Sequence, residues 1–308
     1  MREHFDTTIA PATEDDAENR AASFERHRAR LFGIAYRMLG SVDDANDLVQ
    51  ETYLRWHRAD IGEIRTAEAW LVAVTTRLSI DRLRHSVVER QRYVGHWLPE
   101  PLVTASQPPD RRAELASDLS MAFLVLLERL APEERAAFLL REVFDADYPE
   151  IARVLERSEP ACRQMVHRAR ERVRTDRARF PVARETRERL LERFLEAVRS
   201  EDRESLLALV AEDATWTSDG GGVVSAIRRT VEGRDRIVRF VLGVERKWGA
   251  QVRHEIAWLN GEPAIVSFAG DQLFSTTSID TDGERLVGFY RVMNPAKLKH
   301  VTTVNGDQ

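Results

Sequence analysis

The sequence has little of what a secreted or membrane-spanning protein needs. Its 308 residues include one cysteine, Cys162, which excludes a disulfide within the chain and fits a reducing compartment. No apolar run approaches the roughly 18 residues of a membrane-spanning helix. Residues 1–20 are polar and acidic, without the apolar centre of a signal peptide. We therefore expect a cytoplasmic protein that does not enter a membrane.

An excess of positive charge is missing as well. The chain carries 46 lysines and arginines against 51 aspartates and glutamates, a formal net charge of −5. This balance excludes a protein that binds nucleic acid over its whole surface, so any DNA contact must use a local basic patch. The composition, 43% hydrophobic and 31% charged, is that of a globular protein, and the length predicts two or three domains.

The hydrophobic periodicity changes along the chain and predicts successive domains. Helical spacing without proline dominates the first third, and it returns after a proline-rich stretch. The last third mixes helical segments with alternating, strand-like runs, separated by turn signals at Asn260-Gly261 and Asp282-Gly283. We expect two all-α domains and then an α+β domain. The expected segments are a disordered lead (1–20), a first helical domain (21–92), a linker (93–117), a second helical domain (118–180) and the α+β domain (187–303).

The sharpest local pattern is DYPEIARVLERSEPACRQMVHRARERVR, residues 147–174. A short helix, a three-residue turn and a second helix capped by Ser158 predict a helix-turn-helix. In the second helix an apolar stripe includes Cys162 and Val166, while arginines and His167 share another face. Arginine on such a helix reads guanine or binds phosphate. An ordinary solvated, arginine-rich helix explains this segment alone equally well.

A second charged face is expected earlier in the chain. Arg77, Asp81 and Arg84 follow the helical spacing i, i+4, i+7, so two positive charges share one side, as phosphate contacts require. A solvent-exposed face with an internal ion pair explains the same spacing. Trp56 and Trp70 flank a polar loop, where they either stack on an unpaired base or belong to the core.

Together these motifs resemble bacterial sigma factors of the sigma-70 family, of the extracytoplasmic-function (ECF) type. DDANDLVQETYLRW resembles the family's polymerase-clamp-binding helix, and AWLVAVTTRLSIDRLR resembles the helix that reads the −10 element. LAPEERAAFLLREVFDADYPEIARVLERSEPACRQMVHRARERV resembles the domain that reads the −35 element. The resemblance covers residues 23–178. Glu156-Arg157 stand where the family commonly has glycine and an aliphatic residue, so we expect a slightly different turn.

The resemblance implies a sigma factor, not an enzyme, without a cofactor or metal. Its implied partners are core RNA polymerase, through the β′ clamp and the β flap, and promoter DNA. The implied polymerase-binding residues are Asp44, Asp47, Gln50 and Glu51. The implied DNA-binding residues are Arg77, Asp81, Arg84, Arg163, Gln164, His167, Arg168 and Arg170.

The linker and the last third resemble one ECF subgroup, the SigJ-like factors with a WLPEP linker and a SnoaL-like extension. Residues 219–222 resemble the subgroup's DGGGK motif, with Val223 in place of the lysine, and residues 294–298 resemble its NPxKL motif. The resemblance implies that the extension regulates the sigma core within one chain, without a separate anti-sigma factor. The implied regulatory residues are Trp97, Leu98, Pro99, Glu100, Pro101, Asp219, Gly220, Gly221, Gly222, Asn294, Pro295, Lys297 and Leu298.

This subgroup assigns a role to the linker. Its two prolines exclude a helix, yet a plain spacer would not need Trp97 and Leu98. A proline-rich strip loses little entropy on docking. We expect the strip to dock on the C-terminal domain, with Glu100 reaching a positive group there. A spacer with a locally buried tryptophan is the alternative.

The SnoaL-like resemblance also implies a cone-shaped fold with an apolar pocket, for which small-molecule sensing is a more plausible role than catalysis. Asp219, His254, Asp271 and Tyr290 are the acid–base candidates, and nothing in the sequence places His254 near Asp271. The DGGG stretch lacks the ending of a phosphate-binding loop. A glycine turn between a helix and a sheet is the preferred interpretation.

Two other functions compete with a sigma factor. A ligand-responsive helix-turn-helix regulator would bind an operator tightly without polymerase. A SnoaL-type enzyme with a DNA-binding appendage would lose turnover when Asp219, His254 or Asp271 is changed. For the sigma factor, the subgroup implies that the body of the extension supports activity, while the tail bearing residues 294–298 restrains it.

Overall fold

The computed structural model describes residues 14–60, 64, 66–104, 119–176 and 182–301. Its first part is helical. None of the helices in these ranges has the length and hydropathy of a membrane span. The helices of this part are α1 (Glu14–Leu39), α2 (Val42–Arg58), α3 (Ala67–Gln91), α4 (Met121–Leu127), α5 (Pro132–Glu142), α6 (Tyr148–Leu155) and α7 (Glu159–Asp176).

The last part packs helices against a sheet, so the expected fold class, two helical domains and an α+β domain, is confirmed. Within the described ranges the strands form one six-stranded sheet in the order β2-β1-β6-β5-β4-β3. Only the β1–β6 pair is parallel among these neighbours. The elements are α8 (Arg184–Arg199), α9 (Arg203–Leu209), β1 (Val210–Asp219), β2 (Val231–Glu232), α10 (Arg234–Trp248), β3 (Val252–Leu259), β4 (Glu262–Ala269), β5 (Gln272–Thr281), β6 (Leu286–Val292) and α11 (Pro295–Leu298).

The parallel pair positions the candidate site. Asp219, the last residue of β1, lies opposite Val292, the last residue of β6. Because parallel strands end at the same edge of a sheet, the DGGG motif after β1 and the NPxKL motif after β6 emerge side by side. The glycine turn therefore follows a strand and leads toward β2. The prediction that this glycine turn follows a helix was therefore wrong, since it follows strand β1.

Three buried clusters hold the molecule together. The first runs through both helical domains, from Leu31 and Leu71 to Phe138 and Val166. The second fills the α+β domain between its sheet and helices α8–α10. The third joins the linker, α4 and the sheet, and consists of Leu98, Met121, Leu259, Ala264, Val266, Phe268, Val292, Leu298 and Val301. The linker is thus part of a core and not a free spacer.

The beginning of the chain differs from the expected disordered lead. Residues 14–20 are helical, and residues 1–13 lie outside the described ranges. The guanidinium of Arg20 donates to the Ala59 carbonyl at 2.8 Å and the His57 carbonyl at 3.0 Å, at the end of α2. The Trp56 indole donates back to the Arg20 carbonyl at 3.0 Å. These bonds satisfy carbonyls at the end of α2 that have no partner within the helix, and they hold the N-terminal part of α1 against α2.

The turn of the helix-turn-helix keeps a conformation that favours glycine. Glu156 adopts a left-handed backbone with φ of 54°. For a residue with a Cβ atom, the left-handed conformation costs roughly 1–2 kcal/mol of conformational free energy. The N–H of Arg157 still bonds to the Ala152 carbonyl at 3.1 Å, so the expected motif forms with glutamate at this position. Ser158 caps α7 by accepting from the N–H of Ala161.

Gly40 allows the linker to approach the first domain. It has φ of +67°, and a Cβ at this residue would lie 2.6 Å from the ring of Trp97. The N–H of Glu100 bonds to the Gly40 carbonyl at 2.8 Å. Ser41 then caps α2 by accepting from the N–H of Asp44, as expected.

We predict that Gly40→Ala destabilises the protein, because it adds both backbone strain and a clash with Trp97. The expected loss of unfolding free energy is about 1–3 kcal/mol in urea titrations. Gly243→Ala is the matched control. Gly243 lies inside α10, and a Cβ there meets nothing within 4 Å. This control should gain about 0.5–1 kcal/mol, and a shift of both variants in the same direction would contradict the prediction.

Candidate interdomain lock and nucleic-acid interface

The carboxylate of Asp219 is the centre of the contacts between linker and C-terminal domain. Its side chain is fully buried. Oδ1 accepts from the Tyr93 hydroxyl at 2.6 Å and the Gly221 N–H at 3.0 Å. Oδ2 accepts from the Leu98 N–H at 2.9 Å and the Lys297 ammonium at 2.7 Å. A buried carboxylate with four donors is well compensated for its lost hydration.

Lys297 supplies the counter-charge. Its ammonium also donates to the Leu98 carbonyl at 2.5 Å, and it lies 4.0 Å from the ring centre of Trp97. Burial lowers the pKa of Lys297 to about 8, against the opposing pull of Asp219. The ammonium is therefore still mostly charged at neutral pH. Lys297 and Asp219 together hold both backbone polar groups of Leu98.

Asn294 joins the NPxKL and DGGG motifs. Its side-chain oxygen caps α11 by accepting from the Ala296 N–H, and its amide donates to the Tyr93 hydroxyl at 2.8 Å. Gly221 has φ of +62°, and a Cβ there would strike the Asn294 amide. Only glycine suits both conditions. We call the set Tyr93, Trp97, Leu98, Asp219, Asn294 and Lys297 the lock.

Two residues of this region were not found by sequence analysis. Tyr93 bridges Asp219 and Asn294, and burial raises its pKa, as do Asp219's hydrogen bond and charge. The guanidinium of Arg90 stacks on Trp97 with 3.6 Å to the ring centre. Neither residue belongs to a motif, and their only signal is a position at the start of the linker (Tyr93) or just before it (Arg90). Val223, where the subgroup has lysine, is 73% exposed and takes no part in the lock.

Glu100 does not reach a positive group of the C-terminal domain, so that prediction was wrong. Its carboxylate accepts from the Ser41 hydroxyl at 3.0 Å and the Val42 N–H at 2.7 Å. The positive N-terminal end of α2 provides the attraction that a cation was expected to provide. The linker is thus tied to the first domain by Glu100 and to the C-terminal domain by Leu98.

A relay of hydrogen bonds continues this contact. The Tyr36 hydroxyl donates to the Glu100 carbonyl at 2.6 Å and accepts from the Asn260 amide at 2.6 Å. Residues 102–104 then pair with β3, where Val103 bridges to Leu259. The linker therefore forms an isolated antiparallel bridge with the edge strand of the C-terminal sheet. Residues 105–117 of the expected linker lie outside the described ranges.

The expected polymerase-binding face lies on α2. Asp47, Gln50 and Glu51 are exposed, and Asp44 is half-buried, 3.6 Å from Arg82. The C-terminal tail contacts the start of the same helix. His300 lies 2.5 Å from Asp43, and Lys299 pairs with the same carboxylate, which lowers the pKa of Asp43. The tail after the NPxKL motif therefore borders the face that we expect to bind polymerase.

The basic face of α3 is directed at the second helical domain. The Arg77 guanidinium donates to the Arg153 and Val154 carbonyls at 2.8 Å, at the end of α6. Glu156 adds an ion pair with Arg77 at 3.2 Å. Arg84 pairs with Asp81 at 3.0 Å and also with Glu133 of α5. These three candidates lie together on one exposed face, and two of them, Arg77 and Arg84, also contact the second helical domain.

The basic face of α7 is exposed but internally paired. Gln164 and His167 are exposed, as are the arginines at 163, 168 and 170. Each of these arginines has an acidic partner: Arg163 with Glu159, Arg168 with Glu134, and Arg170 with Glu142. Cys162 and Val166 are buried on the opposite face, as the apolar stripe predicts. The rings of Trp56 and Trp70 pack against each other with their centroids 5.4 Å apart, and Trp56 is buried in the core.

The acid–base candidates of the C-terminal domain do not converge. Asp219 belongs to the lock, Asp271 is exposed in the β4–β5 turn, and Tyr290 is half-buried on β6. His254 lines a cavity, where its Nδ1 lies 2.9 Å from the Ser267 hydroxyl. Its nearest carboxylate is Glu245, at 3.8 Å, and not Asp271. In the described part of the chain, no group of His, Cys, Asp and Glu side chains is arranged to hold a metal.

Family models and curated proteins match this chain. Residues 23–87 match the model of sigma-70 region 2, and residues 120–173 match sigma-70 region 4. The ECF RNA polymerase sigma factor SigJ of Mycobacterium tuberculosis is 38% identical over 78% of this chain and 78% of its own length. A protein of the same organism named "Probable ECF RNA polymerase sigma factor SigI" is 29% identical over 90% of this chain and 94% of its own.

A solved structure matches the whole arrangement. The crystal structure of the M. tuberculosis extracytoplasmic function sigma factor SigJ superimposes with a TM-score of 0.74 at 32% sequence identity. The match covers 91% of this chain and 98% of that one. It therefore includes both helical domains and the α+β domain.

We predict that Lys297→Met releases the linker from the C-terminal domain, because it leaves the Asp219 carboxylate buried without a counter-charge. Breaking a buried pair costs about 3 kcal/mol or more. Backbone amides of residues 93–104 should then exchange with deuterium about a hundredfold faster. Lys299→Met, in the same tail but exposed, is the control and should leave their exchange unchanged. Unchanged exchange in Lys297→Met would show that the pair does not hold the linker.

We predict that His254 makes the protein sensitive to acid. Burial lowers its pKa to about 4 from 6.5, so the unfolded chain binds more protons between these values. Stability should therefore fall as the pH drops from 6.5 toward 4, by about 2 kcal/mol. His254→Gln, which can keep the bond to Ser267, should lose less unfolding free energy between pH 7.5 and 4.5. His167→Gln, at an exposed site, should behave like the unaltered protein, and equal losses in all three proteins would contradict the prediction.

Proposed function

The chain belongs to the extracytoplasmic-function sigma factors of the sigma-70 family, and on that premise we propose that its C-terminal domain keeps the sigma core closed. As a member of this family it binds core RNA polymerase and directs promoter-specific transcription initiation. The α+β domain and the linker supply the regulation. We propose binding and regulation, not catalysis, for this domain.

The polymerase contacts assigned here rest on α2. Its exposed acidic and polar face, formed by Asp47, Gln50 and Glu51 with Asp44 beside them, suits a basic partner. We assign this face to the β′ clamp, and the second helical domain to the β flap. The C-terminal tail supports regulation at this point, because Lys299 and His300 hold Asp43 next to that face.

The single observation that carries the closed state is the contact of Arg77 with the second helical domain. Its guanidinium donates hydrogen bonds to the Arg153 and Val154 carbonyls and forms an ion pair with Glu156. Arg77 and Arg84 are each about half exposed, and promoter DNA must displace their partners on α5 and α6, together with Asp81, to engage both guanidinium groups fully. The arginines of α7 must likewise exchange acidic partners for phosphate or guanine.

The lock supplies the restraint on that movement. It fixes the linker that connects the two helical domains, while Glu100 fixes the same linker to α2. Tethering within one chain gives such contacts an effective concentration on the order of millimolar. Weak contacts are then sufficient, and a difference of a few kcal/mol between closed and open states lets polymerase or DNA open the molecule.

The same arrangement supports the remaining assignments. A restraint within the chain needs no separate anti-sigma factor. Core polymerase and promoter DNA as partners favour the cytoplasm as the site of action. The C-terminal domain also supports activity, because its sheet edge and third cluster hold the linker and α4 in place.

We predict that a chain ending at Val292 initiates transcription more strongly than the full chain, because it lacks Asn294 and Lys297 of the lock. The measurement is run-off transcription with core polymerase on a promoter selected from genomic fragments. A chain ending at Thr186 also lacks the sheet that supports the linker, so it should not exceed the Val292 product. The full chain with Lys299→Met keeps the lock but loses the ion pair with Asp43, so it separates the effect of that contact from the effect of the lock. The full chain with Arg239→Met, an exposed arginine of α10, is the control.

Two outcomes would contradict these proposals separately. Equal activity of the three chain lengths would remove the regulatory role of the C-terminal domain and leave the sigma factor intact. Failure of every form to initiate on any fragment, together with tight operator binding by the free protein, would favour a helix-turn-helix regulator that acts without polymerase.

A further inference from the structure

The α+β domain contains a cavity that the lock does not use. It has a volume of about 560 Å³ and lies between the sheet and helices α8 and α10. Ligand pockets for small molecules typically measure about 300–1,000 Å³. Its walls are mainly apolar and aromatic, and include Phe194, Trp216, Phe240, Val244, Ile265 and Phe274.

One strong cation lines this apolar space. Arg291 projects from β6, and its guanidinium donates to the Ser275 hydroxyl at 3.1 Å from Nη2 and 3.3 Å from Nε. Desolvation lowers the pKa of Arg291 to about 10, so it stays charged at neutral pH. Within the described ranges no carboxylate lies at ion-pair distance from it. A desolvated guanidinium with one neutral acceptor favours an anion at its free donors.

The other polar groups of the lining are compatible with such an anion. Glu245 lies 3.8 Å from His254, and burial raises its pKa, which favours the uncharged acid and lessens its repulsion of an anion. His254 is neutral at pH 7 because burial lowers its pKa to about 4. The hydroxyls of Ser267 and Ser218 add neutral hydrogen-bonding groups, and Lys247 adds a second positive charge. The lining therefore offers Arg291 as a fixed charge for one acidic group, within largely aromatic walls.

We propose that this cavity binds an amphipathic organic carboxylate, whose apolar body contacts the aromatic walls and whose carboxylate pairs with Arg291. The guanidinium fork matches the two oxygens of a carboxylate. This binding site is independent of the role assigned to the lock, since binding can be measured without transcription.

Calorimetric titration of the full chain tests the proposal with two matched pairs of probes. Octanoate is compared with 1-octanol, and 2-naphthoate with 2-naphthalenemethanol. Each carboxylate should bind at least about tenfold more tightly than its alcohol, as expected for a hydrogen bond to a charged group. A preference for the carboxylate in either pair supports the proposal, because the two carboxylates have different apolar bodies, an aliphatic chain and an aromatic ring, and share the acidic group.

Two variants locate the site. Arg291→Met should abolish the preference for carboxylate over alcohol, while Arg239→Met, an exposed arginine of the same domain, should preserve it. Val244→Phe narrows the cavity without touching the guanidinium and should weaken the binding of both members of a pair. If Arg291→Met does not fold, two measurements still test the proposal. One is the comparison of carboxylate with alcohol on the unaltered chain, and the other is binding to Val244→Phe.

The proposal is overturned if neither carboxylate binds the unaltered chain at carboxylate concentrations up to about 10 mM, which would detect even very weak ligands. It is also overturned if the alcohols bind as tightly as the carboxylates. It is also overturned if folded Arg291→Met keeps the preference, or if Val244→Phe leaves carboxylate binding unchanged.

Discussion

The buried pair of Asp219 and Lys297 is the interaction on which the arrangement of this molecule depends. Each charge is separated from water, so each is tolerable only while the other stays in place. Between them they bind the N–H and the carbonyl of Leu98, which anchors the linker. Because the linker also contacts α2 through Glu100, this ion pair is connected through the linker to the first helical domain.

The sheet makes this pair possible. Asp219 ends β1 and Lys297 follows β6, and only the parallel pairing of these strands brings them to one edge. The cavity approaches the same edge, because Ser218 and Met293 line it and are the neighbours of Asp219 and Asn294. The cavity and the lock thus share two strand ends.

Local features of this fold could be predicted from the sequence, and contacts between distant segments could not. The Ser41 cap, the helix-turn-helix and the succession of domains follow from spacing and capping, which act within a few residues. The spacing of Arg77 and Arg84 predicted a shared face, but not that both arginines contact the second helical domain. Glu100 shows the reason: a carboxylate can pair with a cation or with a helix end, and only the folded chain decides between them. Tyr93 had no motif at all.

The position of Lys297 along the chain also sets an order of events during synthesis. Region 4 ends at residue 173, more than a hundred residues before Lys297. At ~5–20 residues per second, the ribosome needs roughly 6 to 25 s to make the stretch between them. Both helical domains are therefore translated before Lys297 exists. The contacts of Arg77 with α6 and of Glu100 with α2 can form during synthesis, whereas the ion pair of Asp219 with Lys297 is completed last.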